Sequence, residues 1–238
     1  MLQSEINALK RACLYSLPAN KLGYCGPPES WRQFEQFLSD PTEKNAATAK
    51  SLLKEFCALY PYLELIASAN NLLPFDPEVV EAYWLGNSLL ENVQYFELQE
   101  TLLSFQRSGL PRSIAEEKAA ELPDGILPHH SFHVLYVNFI SPKVKPIVSN
   151  LSNCLVQWAT VQGTAKNRVK VKGIGLFLES NELKLRERAK VVQNPLGLGL
   201  NGNNLVSVHW DTAVECISAE QARNLRKYTE QTLAAIQA

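Results

Sequence analysis

The sequence predicts an α+β protein: a mostly helical N-terminal region over residues 1–146, then a small OB-like β-barrel with a closing helix over residues 147–238. Three observations predict this class. Apolar residues recur at helical spacing through the first half, as at Trp31, Phe34, Phe37 and Leu38. From Cys154 onward, short runs rich in β-branched residues alternate with glycine and asparagine turns, the pattern of a small barrel or sandwich. Ser218-Ala219-Glu220-Gln221 then forms a capping box that opens a last helix, Ala219–Ile236.

Taken in order, Glu5–Ser16 reads as a helix that stops before Pro18. Leu22-Gly23-Tyr24-Cys25-Gly26-Pro27-Pro28 is a turn, because its glycines admit positive φ and its prolines forbid helix. Ser30 is placed to cap a helix over Trp31–Leu38. A third helix is expected from Thr42 to Leu59 and a fourth over Tyr62–Asn70, with Pro61 between them. Asp76-Pro77-Glu78 starts a helix with proline in its first turn, leading into Val79, Val80, Tyr83 and Trp84. Helix continues to Leu122, broken at Ser108–Pro111. After Pro123-Asp124-Gly125 the segment His129–Ile140 reads as a strand, and Ser141–Pro146, with two prolines, as a boundary. Strands follow at Cys154–Gln162, Arg168–Lys172, Lys184–Val192 and Leu205–His209.

Composition narrows the function classes. With 46% hydrophobic and 20% charged residues and a net charge of −1, the chain folds and carries no excess charge for coating DNA or anionic lipid, so neither nucleic acid nor membrane is expected as partner. Its longest apolar runs fall short of the ~20 residues that span a bilayer, and Met1–Lys10 lacks a signal-peptide core. The five cysteines, Cys13, Cys25, Cys57, Cys154 and Cys216, have no framework spacing and no CxxC pair. This pattern points to reduced thiols in a cytoplasmic protein and excludes a zinc ribbon or thioredoxin-type site.

Chemistry concentrates at the histidines. Of four, three lie in His129-His130-Ser131-Phe132-His133. In a strand, His129 and His133 share a face and His130 points away; in a loop all three converge. Imidazole is the commonest transition-metal ligand, and Cys25 on its turn supplies a soft partner, so Cys25, His129, His130 and His133 form a candidate metal site. The competing reading is a strand of hydrogen-bonded histidines. The fourth, His209, ends Val206-Ser207-Val208-His209. Glu81, Tyr83 and Trp84 either line a pocket beside Gly86-Asn87 or bury Trp84 in a core. The run Lys184–Lys190 reads as a solvated strand edge or, alternatively, a docking surface.

Cys154-Leu155-Val156, together with Gly202-Asn203-Asn204-Leu205-Val206-Ser207-Val208-His209-Trp210-Asp211-Thr212-Ala213-Val214 and the helix from Ile217, resembles the HypC/HupF family of nickel–iron hydrogenase maturation chaperones. The resemblance covers about a third of the chain. It implies a small barrel in which Cys154 and His209 handle an iron fragment carrying cyanide and carbon monoxide. The family's cysteine follows the initiator methionine, whereas Cys154 is internal. Over nearly its whole length the chain also resembles an uncharacterised bacterial family, through Leu22–Pro27, Pro61–Ala67, Val80–Asn87 and His129–His133. The expectation is therefore an accessory protein of metallocentre assembly, in nickel–iron hydrogenase maturation, with iron or another transition metal at Cys154 and His209. Other maturation proteins or a hydrogenase large subunit would be its partners. The alternatives are a metal-dependent enzyme using the N-terminal cysteine and histidines, with Glu81 as candidate base, and an interaction module without metal.

Overall fold

In a computed structural model, which describes residues 3–138, 140 and 143–238, helices precede a five-stranded sheet and one helix follows it. The helices are α1 (Gln3–Lys21), α2 (Trp31–Ser39), α3 (Glu43–Lys54), α4 (Tyr60–Ala69), α5 (Pro77–Trp84), α6 (Tyr95–Ser104), α7 (Arg112–Ala120), the single turn α8 (His130–Phe132), α9 (Val148–Cys154) and α10 (Ala219–Ala235). The strands are β1 (Gln157–Ala165), β2 (Arg168–Glu179), β3 (Glu182–Gln193), β4 (Leu205–His209) and β5 (Thr212–Cys216). Among the described residues no helix is long and apolar enough to cross a membrane. Ser141 and Pro142, at the expected chain boundary, lie outside the described residues.

Several elements differ from the sequence reading, each for a physical reason. Helix α1 runs through Pro18 to Lys21 because its last turn is buried and clamped. Asn20 Nδ2 donates to the carbonyls of Cys25 and Pro27, both at 2.8 Å, and its Oδ1 accepts the Trp31 N–H at 2.7 Å. These bonds offset the one that proline forfeits. Helix α3 stops at Lys54, and Phe56 leaves helical geometry to pack against Phe34 and the cysteine turn. Gly26 in that turn has φ +76°, and a Cβ there would lie 2.1 Å from the Phe56 ring, so glycine is required for both conformation and space.

The expected strand at His129–Ile140 is instead helical over most of its length, α8 followed by a π-helical turn over His133–Val137; Phe139 lies outside the described residues. Its β-branched and aromatic residues satisfy burial rather than a pleated sheet, since Phe132, Val134, Leu135 and Val137 are all buried. His129 fixes the start: its Nδ1 accepts the Ser131 N–H at 3.3 Å, which caps the turn. Likewise Cys154 ends α9 rather than opening β1.

The strand pairings run β1–β2–β3–β5–β4, and β4 pairs again with β1. The β3–β5 contact is a single parallel bridge, Gln193↔Thr212. The β2–β3 hairpin is in register from Arg168↔Gln193 to Glu179↔Glu182. The Lys184–Lys190 run on β3 is a charged edge whose Lys184, Arg186 and Lys190 pair with Glu182, Glu179 and Asp211. Strand β5, which the sequence reading does not separate, is joined to β4 by Trp210 and Asp211, both at positive φ. Such a tight two-residue connection ordinarily takes asparagine and glycine.

The inside of the sheet packs Val161, Val171, Val206 and Val208. A larger core joins the helices to the sheet's outer side and to α10, so that Tyr15, Tyr62 and Trp84 share it with Val214, Ile217 and Leu225. Arg11 on α1 ties the parts together by pairing with Glu81 at 2.8 Å and Glu215 at 3.0 Å. Glu81 also accepts from Gln221 on α10 at 2.7 Å, which makes it a structural anchor.

Candidate metal centre

Three buried side chains from distant parts of the chain converge: His130 on α8, Cys154 at the end of α9 and His209 at the end of β4. Their donor atoms all lie within 4.8 Å of one another. Metal–donor distances of about 2.0–2.3 Å place tetrahedral donors about 3.3–3.8 Å apart, so the set needs to contract by no more than about 1.5 Å. Local structure brings the three together. The tight β4–β5 turn sends the Trp210 N–H to the Asn153 carbonyl at 2.7 Å, which docks the end of β4 onto the end of α9. The imidazole rings of His130 and His209 meet edge to face at 5.4 Å.

Hydrogen bonding tests whether these groups suit a cation. His209 Nδ1 lies 2.8 Å from the Tyr15 carbonyl, which can only accept, so Nδ1 carries the proton. Its Nε2 is then a lone pair, buried and without a partner. His130 is frustrated in a complementary way. Its Nδ1 lies 3.1 Å from Tyr83 Oη, and its Nε2 lies 3.0 Å from the Cys154 carbonyl. Tyr83 donates its one hydroxyl proton to the Ala58 carbonyl. His130 Nδ1 must then be the donor to Tyr83, leaving Nε2 as a lone pair against a carbonyl oxygen. A second ring proton would resolve that clash, but burial, with His209 and His133 alongside, holds the His130 pKa well below its usual value. A metal ion accepting the Nε2 lone pair resolves it without protonation.

The other ionisable groups fit the same picture. Burial lowers His209 to about 4, against the opposing effect of the Tyr15 and Cys154 backbone, so its ring is neutral and competent to ligate. Burial pushes the Cys154 thiol up to about 12, while the Trp210 indole N–H works in the opposite direction. A thiol in that position gives up its proton readily only to a metal. The donor set, two imidazoles and one thiolate, suits a transition metal and does not suit magnesium or calcium.

The centre forms one wall of a cavity of about 550 Å³. Cys25, Cys57, Trp84, His133, Arg107 and Trp210 also line it. Three protein donors beside an open cavity is the pattern of sites that keep a position for an exogenous ligand, as opposed to closed four-donor structural sites.

The structure thus redistributes the residues singled out from sequence. His130, assigned there to an N-terminal site, stands with Cys154 and His209. Cys25 and His133 line the shared cavity but are not among the three clustered donors. His133 Nδ1 lies 3.1 Å from Tyr62 Oη, and burial lowers its pKa to about 4. His129 lies outside the cavity lining. Its Nδ1 is 2.7 Å from Ser131 Oγ, its ring packs beside Tyr228, and burial lowers its pKa to about 3. Two residues of the site escape the sequence reading. Cys57 carries no local motif, and Tyr83, the partner of His130, shows itself in sequence only as a pocket or core aromatic.

The family described as Family of unknown function (DUF6390) has a model that matches residues 9–238 of this chain. No curated protein matches the chain, and no solved structure matches it.

Proposed function

We infer that this chain, which belongs to the DUF6390 family of unknown function, holds a soft transition metal at His130, Cys154 and His209 and serves in metallocentre assembly. The observation that carries the reading is the buried, unpartnered Nε2 of His209 beside Cys154 and His130. A buried lone pair without a proton donor costs on the order of 1–3 kcal/mol, and a bound ion removes that cost.

Iron is the metal favoured by the resemblance of Cys154 and His209 to the cysteine and histidine of the HypC/HupF chaperones. Nickel–iron hydrogenase maturation is the corresponding setting, with other maturation proteins or a hydrogenase large subunit as partners. We read the ring of strand pairings as an OB-like barrel on the same ground. His130 would add a second imidazole, Tyr83 and the Tyr15 carbonyl would hold the two rings in the ligating tautomer, and the Trp210 N–H would support the Cys154 thiolate. The open cavity leaves space for small ligands carried on the metal.

The test is elemental analysis and infrared spectroscopy of protein purified anaerobically from iron-replete cells. Iron with cyanide and carbonyl stretching bands, lost in Cys154→Ser and His209→Ala, supports this reading. Protein that neither carries metal nor takes up iron on reconstitution overturns it.

A second reading, a metal-dependent enzyme, draws on the cavity itself, which is large enough for a small substrate beside an open coordination position. Bound metal without diatomic ligands, together with turnover abolished by His130→Ala, favours that alternative.

A further inference from the structure

The cavity contains two more thiols that the three-donor centre does not use. Cys25 comes from the turn after α1, and Cys57 from the irregular segment after α3. Three contacts hold these segments in place, of which the second sets them against each other. Asn20 holds the Cys25 and Pro27 carbonyls, Gly26 lies under the Phe56 ring, and Tyr83 bonds the Ala58 carbonyl. Burial pushes both thiols up, Cys25 well above its usual value, while backbone N–H groups work in the opposite direction, those of Gly26 and Ala58 at Cys25 and those of Ala58 and Cys57 at Cys57. The unbound pair is therefore held as thiols, which ionise only when a metal replaces the protons.

Exposure is graded along the cavity: Cys154 is buried, whereas Cys25 and Cys57 are both partly exposed. Cys25 and Cys57 are thus the more accessible residues among the cavity's three cysteines. Ala58 links the two ends of the cavity, since it follows Cys57 in the chain and its C=O is bonded to the tyrosine that orients His130.

We propose that Cys25 and Cys57 form a second, outer site in the same cavity that captures a soft, thiophilic metal ion as two thiolates before it passes to the inner centre. This rests on the reading of the inner centre as a metal site and adds a second site to it. Both thiols release their protons to solvent on binding. On transfer inward Cys154 gives up its proton and the two vacated sulfurs take up protons, one made available by Cys154 and one from solvent. Two sulfur donors are thereby exchanged for one sulfur and two nitrogens without a change of oxidation state. Softness decides the occupant, because two thiolates retain Cu(I), Cd(II) or Fe(II) far better than Mg(II) or Ca(II).

The test is an anaerobic titration of the reduced apoprotein with Cd(II) alone, following the ultraviolet thiolate-to-cadmium charge-transfer band. The wild type should take two equivalents. Cys57→Ser and Cys25→Ser should each take one, and the double variant should lose roughly two-thirds of the band, in proportion to the thiolates removed. Thermal melts of the apoproteins check that these variants fold, and Cys57→Ala gives a second route if serine perturbs the segment. The variant Cys154→Ser, His209→Ala should keep one equivalent at the outer pair. If the wild type takes one equivalent and the Cys25 and Cys57 variants titrate as it does, the outer site is overturned while the inner reading stands. If that Cys154 and His209 variant titrates identically to a wild type that takes only one equivalent, the inner reading fails and the outer site survives.

Discussion

His209 gives its Nδ1 proton to the backbone carbonyl of Tyr15, 2.8 Å away, and so presents an unprotonated, unpartnered Nε2 to Cys154 and His130. A carbonyl on α1 thereby sets the tautomer of a ring on β4. Tyr15 is fixed in turn, because its hydroxyl donates to Glu215 on β5 at 2.9 Å and lies 2.8 Å from Ser207 Oγ on β4.

Replacing His209 by alanine should remove a metal ligand while leaving the fold, since on the Tyr15 side it deletes a single hydrogen bond to a backbone carbonyl. The loss in Co(II) affinity should exceed the roughly 10–100-fold typical of second-sphere changes. Cobalt d–d absorption reads this directly. Wild-type-like affinity in His209→Ala would place the ion elsewhere.

Tyr83→Phe keeps the ring against Trp84 and Tyr62 but deletes the hydroxyl between His130 and Ala58. His130 is then free to take the other tautomer, with its Nε2 proton on the Cys154 carbonyl, which blocks ligation. Metal affinity should fall by about 10–100-fold, and the apoprotein should lose about 1–3 kcal/mol for the unsatisfied Ala58 carbonyl. An unchanged metal affinity would show that Tyr83 does not set the ring.

Acid should destabilise the apoprotein steeply. Above about pH 6.5 the histidines are neutral in both folded and unfolded states. As pH falls below that value the unfolded chain takes up protons. The folded chain refuses them down to about 4 at His133 and His209 and about 3 at His129. Stability is therefore fully present above the unfolded value and is lost as pH falls toward the folded ones. Each ring contributes a slope of about 1.4 kcal/mol per pH unit. Urea unfolding midpoints at pH 7 and pH 5 check this, and equal midpoints would contradict neutral burial.

Gly26→Ala should be costly for two reasons, the positive φ and the absence of room against Phe56. We expect a loss of more than about 1 kcal/mol together with weaker Cd(II) uptake, because the Cys25 turn must move off the Phe56–Ala58 wall. Gly23→Ala provides the comparison: its φ is also positive but nothing lies within 4 Å of the added carbon, so it should cost less and leave uptake intact.

Much of this was legible in the residues themselves. Local codes placed the capping box at Ser218 and Gln221, the proline-initiated α5 and the whole of β4, because each depends on neighbours a few positions away. The sequence also named the chemistry, since only histidines and cysteines among these residues offer soft nitrogen and sulfur donors. It could not sort the three clustered histidines. A strand separates His130 from His129 and His133 by face, whereas a capped helical turn points His130 toward Cys154, binds His129 to Ser131 and leaves His133 against Tyr62. Which backbone forms depends on burial from α10 and α9, far away in the chain. Likewise Cys57 and Tyr83 acquire roles only when the chain folds Ala58 between them. Residue type and short-range pattern determined which atoms can bind a metal, and long-range packing decided which of them meet, because the proximity of donors on α8, α9 and β4 is created by contacts that no local window contains.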